Sequence, residues 1–78
     1  MFDQVQNVIH RELLIDLDKI KIESNLFDDL NFDSLDSVEM VLAMELEFDI
    51  EIPDDSIDEI KTIRDIVDLV QDLVWQLI

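Results

Sequence analysis

Apolar residues recur every three or four positions in three stretches of the chain, which is the spacing of amphipathic helices. In the first stretch they are Phe2, Val5, Ile9 and Leu13, and they predict a helix of about three turns. In the last stretch, which Thr62 opens as an N-cap, they are Ile63, Ile66, Val67, Val70, Val74 and Leu77. The middle stretch begins at Asp33, also a good N-cap, and predicts a helix that runs to about Phe48.

The segments between these helices predict a long loop, an extended connector and one short helix. Residues 16–32 lack a sustained period, and their expected contacts with the core are Leu26, Phe27, Leu30 and Phe32. Ile50 to Pro53 predicts the connector, and Asp54 to Ile60 predicts the short helix, with Ile57 and Ile60 buried. The predicted fold is therefore all-α: a small four-helix bundle of three main helices plus a short third helix, with a long loop between helices 1 and 2.

Two further expectations concern single residues. The chain has no glycine, so left-handed backbone positions are expected at Asn25 and Asn31, whose side chains tolerate that conformation. Trp75 falls off the main apolar face of the last helix and is expected to cover a neighbouring helix.

The middle helix carries apolar residues on two nearly opposite sides. The inner stripe, as we name it, comprises Met40, Val41, Met44 and Phe48. The outer stripe comprises Leu35, Val38, Leu42 and Leu46. Carboxylates fill or edge the gaps between the stripes, at Asp36, Glu39, Glu45, Glu47 and Asp49. A bundle this small is not expected to bury both stripes, which predicts one core face and one acid-rimmed docking surface; a helix covered on both sides is the alternative.

Charge narrows the choice of partners. Twenty-one acids face five bases, a net charge of −16, and the segment from Ile22 to Ile60 holds fourteen acids and no lysine or arginine. Because 49% of the residues are hydrophobic and periodic, a folded domain is predicted rather than a disordered chain. Such a field repels nucleic acid and anionic membranes and favours basic protein surfaces. No signal-peptide pattern opens the chain and no apolar run approaches about 18 residues, so we expect a cytoplasmic protein with no stable membrane insertion. A monomer is also expected.

The residues that usually carry catalysis or bind metals are scarce. The chain has no cysteine and one histidine, His10, so no nucleophile–base pair is visible and an enzyme is not expected. Asp29, Asn31 and Asp33 imitate the first ligands of a calcium-binding loop. The same loop requires glycine and a bidentate glutamate where this chain has Ser34 and Met40, so no metal site is predicted.

The segment Asp33-Ser34-Leu35-Asp36-Ser37-Val38-Glu39 resembles the phosphopantetheine attachment motif of bacterial acyl carrier proteins. Three further segments resemble the same family: Asp28-Asp29-Leu30, Glu47-Phe48-Asp49-Ile50-Glu51-Ile52-Pro53 and Ile60-Lys61-Thr62-Ile63. The resemblance covers about Ile22 to Val70 and is weaker in the first helix. It departs from the family at Asn31, where glycine is common, and at Leu46, where an acid is common.

This resemblance implies a non-catalytic carrier whose Ser34 receives 4′-phosphopantetheine from coenzyme A through a separate phosphopantetheinyl transferase (holo-ACP synthase). Asp33 would cap the helix and help to hold the metal that accompanies transfer, and Leu35 would contact the transferase. The positions that match the family's docking face for basic enzyme surfaces are Asp36, Glu39 and Glu45, beside the apolar Val38, Leu42 and Leu46. The inner stripe, with Leu26, Ile52, Ile60 and the last helix, would line a cavity for the acyl chain.

On this reading residues 1–78 form one acyl carrier domain, which presents growing acyl chains, held as thioesters, to enzymes of fatty-acid biosynthesis. Two alternatives stay open. One is a specialised carrier of polyketide, aminoacyl or unusual lipid cargo, and the other is an acidic interaction protein that carries nothing. Treatment with coenzyme A and a transferase separates the second alternative from any carrier.

Overall fold

The computed structural model describes residues 1–76, and its regular elements are helices. They are α1 (Phe2–Leu13), α2 (Ser34–Phe48), α3 (Asp54–Ile57) and α4 (Ile63–Gln76), with a single 3₁₀ turn at Leu17–Lys19. The all-α bundle with a long loop before α2 is therefore confirmed. The short helix α3 is the main difference in bounds, because it ends at Ile57 rather than Ile60. Leu77, predicted on the apolar face of α4, lies outside the described residues.

The core lies between the three long helices. Helices α1 and α4 contribute the faces that their apolar spacing predicts, and α2 contributes its inner stripe. The buried residues are Val5, Val8 and Ile9 of α1, Met40, Val41 and Met44 of α2, and Ile63, Ile66, Val67 and Val70 of α4. Helix α1 makes its most extensive contact with α2, and α4 packs against both. None of the described helices is long and apolar enough to span a membrane.

The long loop is held to the start of α4 by backbone hydrogen bonds. The N–H groups of Leu26, Ile63 and Arg64 donate to the carbonyls of Lys61, Ser24 and Ile22, at 2.9, 3.1 and 3.0 Å. The apolar side chains that the loop buries in the core are Ile20, Leu26, Leu30 and Phe32.

One expected core contact of this loop is wrong. Phe27 is 41% exposed, and the Lys61 ammonium lies 5.9 Å from its ring centroid. The ring is therefore on the surface, because the turn that begins at Asn25 carries it away from the core.

Left-handed backbone occurs at Leu14, Asn31 and Asp49, with φ of 56°, 57° and 54°. The expectation for Asn31 is thus confirmed, whereas that for Asn25 is wrong. The Asn25 side chain instead stabilises a turn, because its Oδ1 accepts hydrogen bonds from the N–H groups of Phe27 and Asp28, each at 2.9 Å.

Trp75 does not cover a neighbouring helix as expected, since 70% of it is exposed. It lies on the last turn of α4, away from the face that Ile66 and Val70 bury, and its indole ring is left in solvent.

Candidate attachment and docking site

The start of α2 is fixed by a reciprocal pair of hydrogen bonds. The Asp36 N–H donates to Asp33 Oδ1 at 2.9 Å, and the Asp33 N–H donates to Asp36 Oδ2 at 3.2 Å. Asp33 is the N-cap residue of this capping box, and Ser34 is the first helical residue. The unpaired N–H groups and the dipole of a helix start favour an anion, and a phosphodiester on Ser34 would be such an anion.

The turn before α2 presents Ser34 to solvent. Asn31 takes the left-handed conformation, Phe32 is buried, and the Phe32 N–H donates to the Leu26 carbonyl at 2.9 Å. Because Phe32 is held in the core, the next residues, Asp33 and Ser34, emerge at the surface, where both are exposed.

The chain has four serines, at positions 24, 34, 37 and 56, and their surroundings differ. Ser24 is buried, and its hydroxyl donates to the Lys19 carbonyl at 2.9 Å and accepts from the Lys21 N–H at 3.0 Å. Ser37 is half-buried, and its hydroxyl donates back to the Asp33 carbonyl at 3.2 Å. Ser56 is half-buried within α3. Ser34 is the exposed serine of the four and also stands at the start of a long helix.

The outer stripe of α2 lies at the surface along its whole length. The exposed fractions are 64% for Leu35, 49% for Val38, 54% for Leu42 and 86% for Leu46. The inner stripe is buried at Met40, Val41 and Met44 and half-buried at Phe48. Of the two arrangements considered from the sequence, the structure therefore has one core face and one solvent face. Because all four residues are exposed, a partner protein can contact them.

The three acids predicted to dock partners have different surroundings. Glu39 is exposed, whereas Asp36 and Glu45 are half-buried. Asp36 takes part in the capping box, and Glu45 Oε2 accepts a hydrogen bond from the Ile52 N–H at 2.8 Å. Glu45 therefore holds the connector that leads to α3, a structural role that nothing in its local sequence indicates. Docking by these three residues stays a prediction.

The predicted acyl cavity corresponds to a very small space beside the inner stripe. It has a volume of about 10 Å³ and is lined by Leu26, Ser37, Met40, Val41, Ile57 and Ile60. Leu26 and Ile60 lie where they were expected, whereas Ile52 is buried but does not line this space. A volume of about 10 Å³ holds one water at most. An acyl chain would therefore require these side chains to separate.

Comparisons with known proteins identify the family of this chain. A family model described as "Phosphopantetheine attachment site" matches residues 3–70. An acyl carrier protein of Bdellovibrio bacteriovorus is 49% identical over 63 residues, 81% of each chain. One of Picosynechococcus sp. is 46% identical over 70 residues, 90% of this chain and 86% of the relative. The chain belongs to the acyl carrier protein family.

A third acyl carrier protein, from Campylobacter lari, is 42% identical over 73 residues, 94% of this chain and 95% of the relative. Acyl carrier proteins are carriers rather than catalysts, and they hold their cargo on a phosphopantetheine group. The residues at the start of α2 fit that group, because an exposed hydroxyl stands where backbone N–H groups can face its phosphate.

Within residues 1–76, no group of three or more histidine, aspartate or glutamate side chains is placed to hold a metal ion. Two carboxylates of the segment that imitates a calcium loop instead accept hydrogen bonds from backbone N–H groups. Asp29 Oδ2 accepts from the Asn25 N–H at 2.7 Å, and Asp33 caps α2.

Proposed function

We propose that the whole chain, residues 1–78, is one acyl carrier domain and that Ser34 carries its 4′-phosphopantetheine arm. The terminal thiol of that arm holds an acyl group as a thioester. The chain itself catalyses nothing; it presents the growing acyl group to enzymes of fatty-acid biosynthesis in the cytoplasm, as a monomer that binds neither nucleic acid nor membrane.

The observation that carries this proposal is the position of Ser34. It is the exposed serine at the first position of a fifteen-residue helix. A phosphopantetheinyl transferase requires a hydroxyl that its active site can reach, and the buried Ser24 and the hydrogen-bonded Ser37 are less accessible. The helix start then stabilises the phosphodiester after transfer. Asp33 holds the helix start in place, and Leu35, 64% exposed, offers the transferase an apolar contact beside the serine.

The outer stripe and its acids support the proposed docking to enzymes. The apolar part of the proposed docking surface is formed by Val38, Leu42 and Leu46. The negative charge around it comes from Asp36, Glu39 and Glu45. Charge pairs with lysine and arginine of a partner speed encounter and set the register more than they add affinity. Weak, quickly reversed binding suits a carrier that visits several enzymes in turn.

Mass spectrometry of the unmodified protein tests the attachment site. The protein is incubated with coenzyme A, magnesium and a broad-specificity phosphopantetheinyl transferase, and the intact mass is measured before and after. We expect the wild-type chain to gain the mass of one phosphopantetheine, and Ser34→Ala to gain none.

Ser37→Ala is the matched control, because this serine lies one helical turn away in the same motif and should be dispensable for modification. A mass gain that survives Ser34→Ala contradicts the assignment, as does an unchanged mass in the wild type. Modification lost in Ser37→Ala but kept in Ser34→Ala would move the arm to Ser37.

A further inference from the structure

The basic residues of this strongly acidic chain are concentrated in two short segments. Four of the five lie there: Lys19 and Lys21 in the long loop, Lys61 just before α4 and Arg64 in its first turn. All four are exposed, and none forms an ion pair within residues 1–76. The fifth base, Arg11 on α1, is instead paired with Glu12 and Glu47. The four bases are therefore open to a partner.

Backbone hydrogen bonds bring the two segments together. The Arg64 N–H donates to the Ile22 carbonyl at 3.0 Å, and two more such bonds join residues 24–26 to residues 61–63. The joined segments, 19–26 and 61–65, hold four bases and two acids, a net charge of +2 in a molecule of net charge −16. We name this surface the basic patch.

An apolar groove borders the basic patch, between the first half of α1 and the loop. Its volume is about 510 Å³, and we name it the α1–loop groove. The residues that line it are Phe2, Gln6, Leu17, Asp18, Ile20, Lys21 and Ile22. Lys21 and Ile22 belong to both the groove and the patch, so the apolar and the positive surfaces are continuous. Among the described residues, none from α2 lines this groove.

The side chain of Gln6 holds the two walls of the groove together. Its Nε2 donates to the Leu17 carbonyl at 3.1 Å and to the Ile20 carbonyl at 2.8 Å. Leu17 nevertheless remains 38% exposed. The groove is thus formed before any partner arrives, and a preformed surface lowers the entropic cost of binding.

The charges indicate what kind of partner fits this surface. A basic partner would be repelled by the patch, and a single fatty-acid carboxylate would use one of its four bases. Several carboxylates beside an apolar side chain match it better. At physiological ionic strength, charges more than about 8 Å apart are largely screened, so the nearby bases outweigh distant acids. A second copy would set two bodies of charge −16 against each other, which an acidic surface on another protein avoids.

We propose that the α1–loop groove and the basic patch bind an acidic amphipathic helix of a partner protein. An apolar side chain of that helix enters the groove, and its carboxylates pair with Lys21 and Arg64. Helices commonly bind by laying an apolar face into a groove. The inference goes beyond the proposed function, because this contact uses neither Ser34 nor α2. A partner bound here leaves the arm free for an enzyme.

A synthetic peptide tests this surface directly. The probe is a stapled helical peptide with two leucines one turn apart on one face and glutamates on either side of them. Binding to the ¹⁵N-labelled full chain is followed by NMR titration. We expect shift changes centred on Leu17, Lys21, Ile22 and Arg64. A peptide with glutamine in place of each glutamate should bind about tenfold more weakly.

Paired variants separate the proposed surface from general effects of charge and apolar area. Lys21→Gln should weaken binding about threefold, whereas Arg11→Gln removes the same charge outside the patch and should leave binding unchanged. Leu17→Gln should weaken binding about tenfold. Its control is Leu14→Gln, because Leu14 is exposed but does not line the groove.

Asp18→Asn is expected to act in the opposite direction. Asp18 lines the groove beside Lys21 and repels an acidic partner. Its replacement should therefore strengthen binding of the acidic peptide by about twofold to threefold. Weaker binding in Asp18→Asn would mean that the surface selects positive charge, which contradicts the proposal.

Other results would also overturn the proposal. They are equal affinities of Lys21→Gln and Arg11→Gln, and no binding of the acidic peptide at millimolar concentration. A bound peptide that blocks modification of Ser34 by the transferase would show that it covers α2 instead. Self-association abolished by Lys21→Gln would show the occupant to be a second copy, and binding to phosphatidylglycerol vesicles abolished by it would show a membrane. If the transferase modifies Ser34 while the peptide fails to bind, only this inference falls.

Discussion

Asp36 and Asp65 perform the same local task at the starts of α2 and α4. The Asp36 carboxylate accepts a hydrogen bond from the Asp33 N–H, and the Asp65 carboxylate accepts one from the Thr62 N–H. In return, the side chains of Asp33 and Thr62, the two N-cap residues, accept hydrogen bonds from the N–H groups of Asp36 and Asp65. Asp65 Oδ2 also accepts from the Lys61 N–H at 2.9 Å. The Lys61 N–H lowers the pKa of Asp65 most, and the Thr62 groups add to this against a burial effect that raises it.

The lowered pKa predicts how stability depends on pH at this residue. Because the folded-state pKa lies below the unfolded value, the stabilisation is present above about pH 4 and is lost as pH falls through the folded pKa. We expect Asp65→Ala to cost about 1 kcal/mol at pH 7, because it removes the carboxylate that accepts hydrogen bonds from the Lys61 and Thr62 N–H groups. The difference from the wild type should shrink steadily below about pH 4 in urea titrations.

Asp68→Ala is the control for this measurement. It removes the same charge from an exposed position on the same helix and leaves the capping box intact. An equal loss of stability in both variants, or a loss in Asp65→Ala that does not change with pH, contradicts the role of the cap.

At the scale of elements, α2 decides both what the protein buries and what it presents. Its inner stripe faces α1 and α4, and its outer stripe remains in solvent because residues 1–76 contain no fourth long helix to cover it. The neighbouring α3 is a single turn of four residues. Isolated turns of this length are marginal, and Ile57 of α3 lines the small cavity beside α2. We therefore expect this side of α2 to open most easily for an acyl chain.

Met40 provides a test of that expectation, since it is buried and lines the cavity. Met40→Ala should destabilise the protein carrying an unloaded arm by about 2–4 kcal/mol, because it leaves a void in the core. After loading with an eight-carbon acyl group, the penalty should be smaller, because the chain fills the space. Thermal unfolding of both forms measures the two penalties.

Val5→Ala is the control for the loading experiment. Val5 is fully buried on α1 and does not line the cavity. Its penalty should be the same with and without the acyl group. Equal penalties for Met40→Ala in the two forms would mean that the chain lies elsewhere.

At the scale of the whole molecule, the net charge of −16 opposes folding. The acids from Ile22 to Ile60 repel one another in the compact state, and dissolved salt screens that repulsion. Raising sodium chloride from 10 mM to 500 mM, or adding millimolar magnesium, should screen this repulsion and stabilise the fold by about 1 kcal/mol. For a domain of this size that is a rise of roughly 4–8 °C in Tm.

A triple variant, Glu51→Gln with Asp58→Asn and Glu59→Gln, separates screening from other effects of salt. All three carboxylates are exposed and lie within the acidic segment. We expect this variant to have a higher Tm at low salt and a smaller rise on adding salt. The same salt dependence in the variant and the wild type would show that repulsion is not the cause.

Local patterns in the sequence determined the helices, their starts and the attachment motif. Asp33 and Thr62 cap α2 and α4 as predicted, because a capping bond joins residues three positions apart and needs no distant partner. Asn31 takes the left-handed position as predicted, because its side chain tolerates it. The apolar spacing likewise identified the buried faces of α1 and α4.

Only the tertiary structure decided which stripe of α2 faces solvent, because each stripe alone has the spacing of a core face. It also turned Phe27 outward, joined Glu45 to the Ile52 N–H, and brought Arg11 within 2.9 Å of Glu47, thirty-six residues away. Contacts between residues so distant in sequence depend on how the helices pack. The sequence therefore predicts the element that presents Ser34, whereas packing creates the closed cavity beside that element.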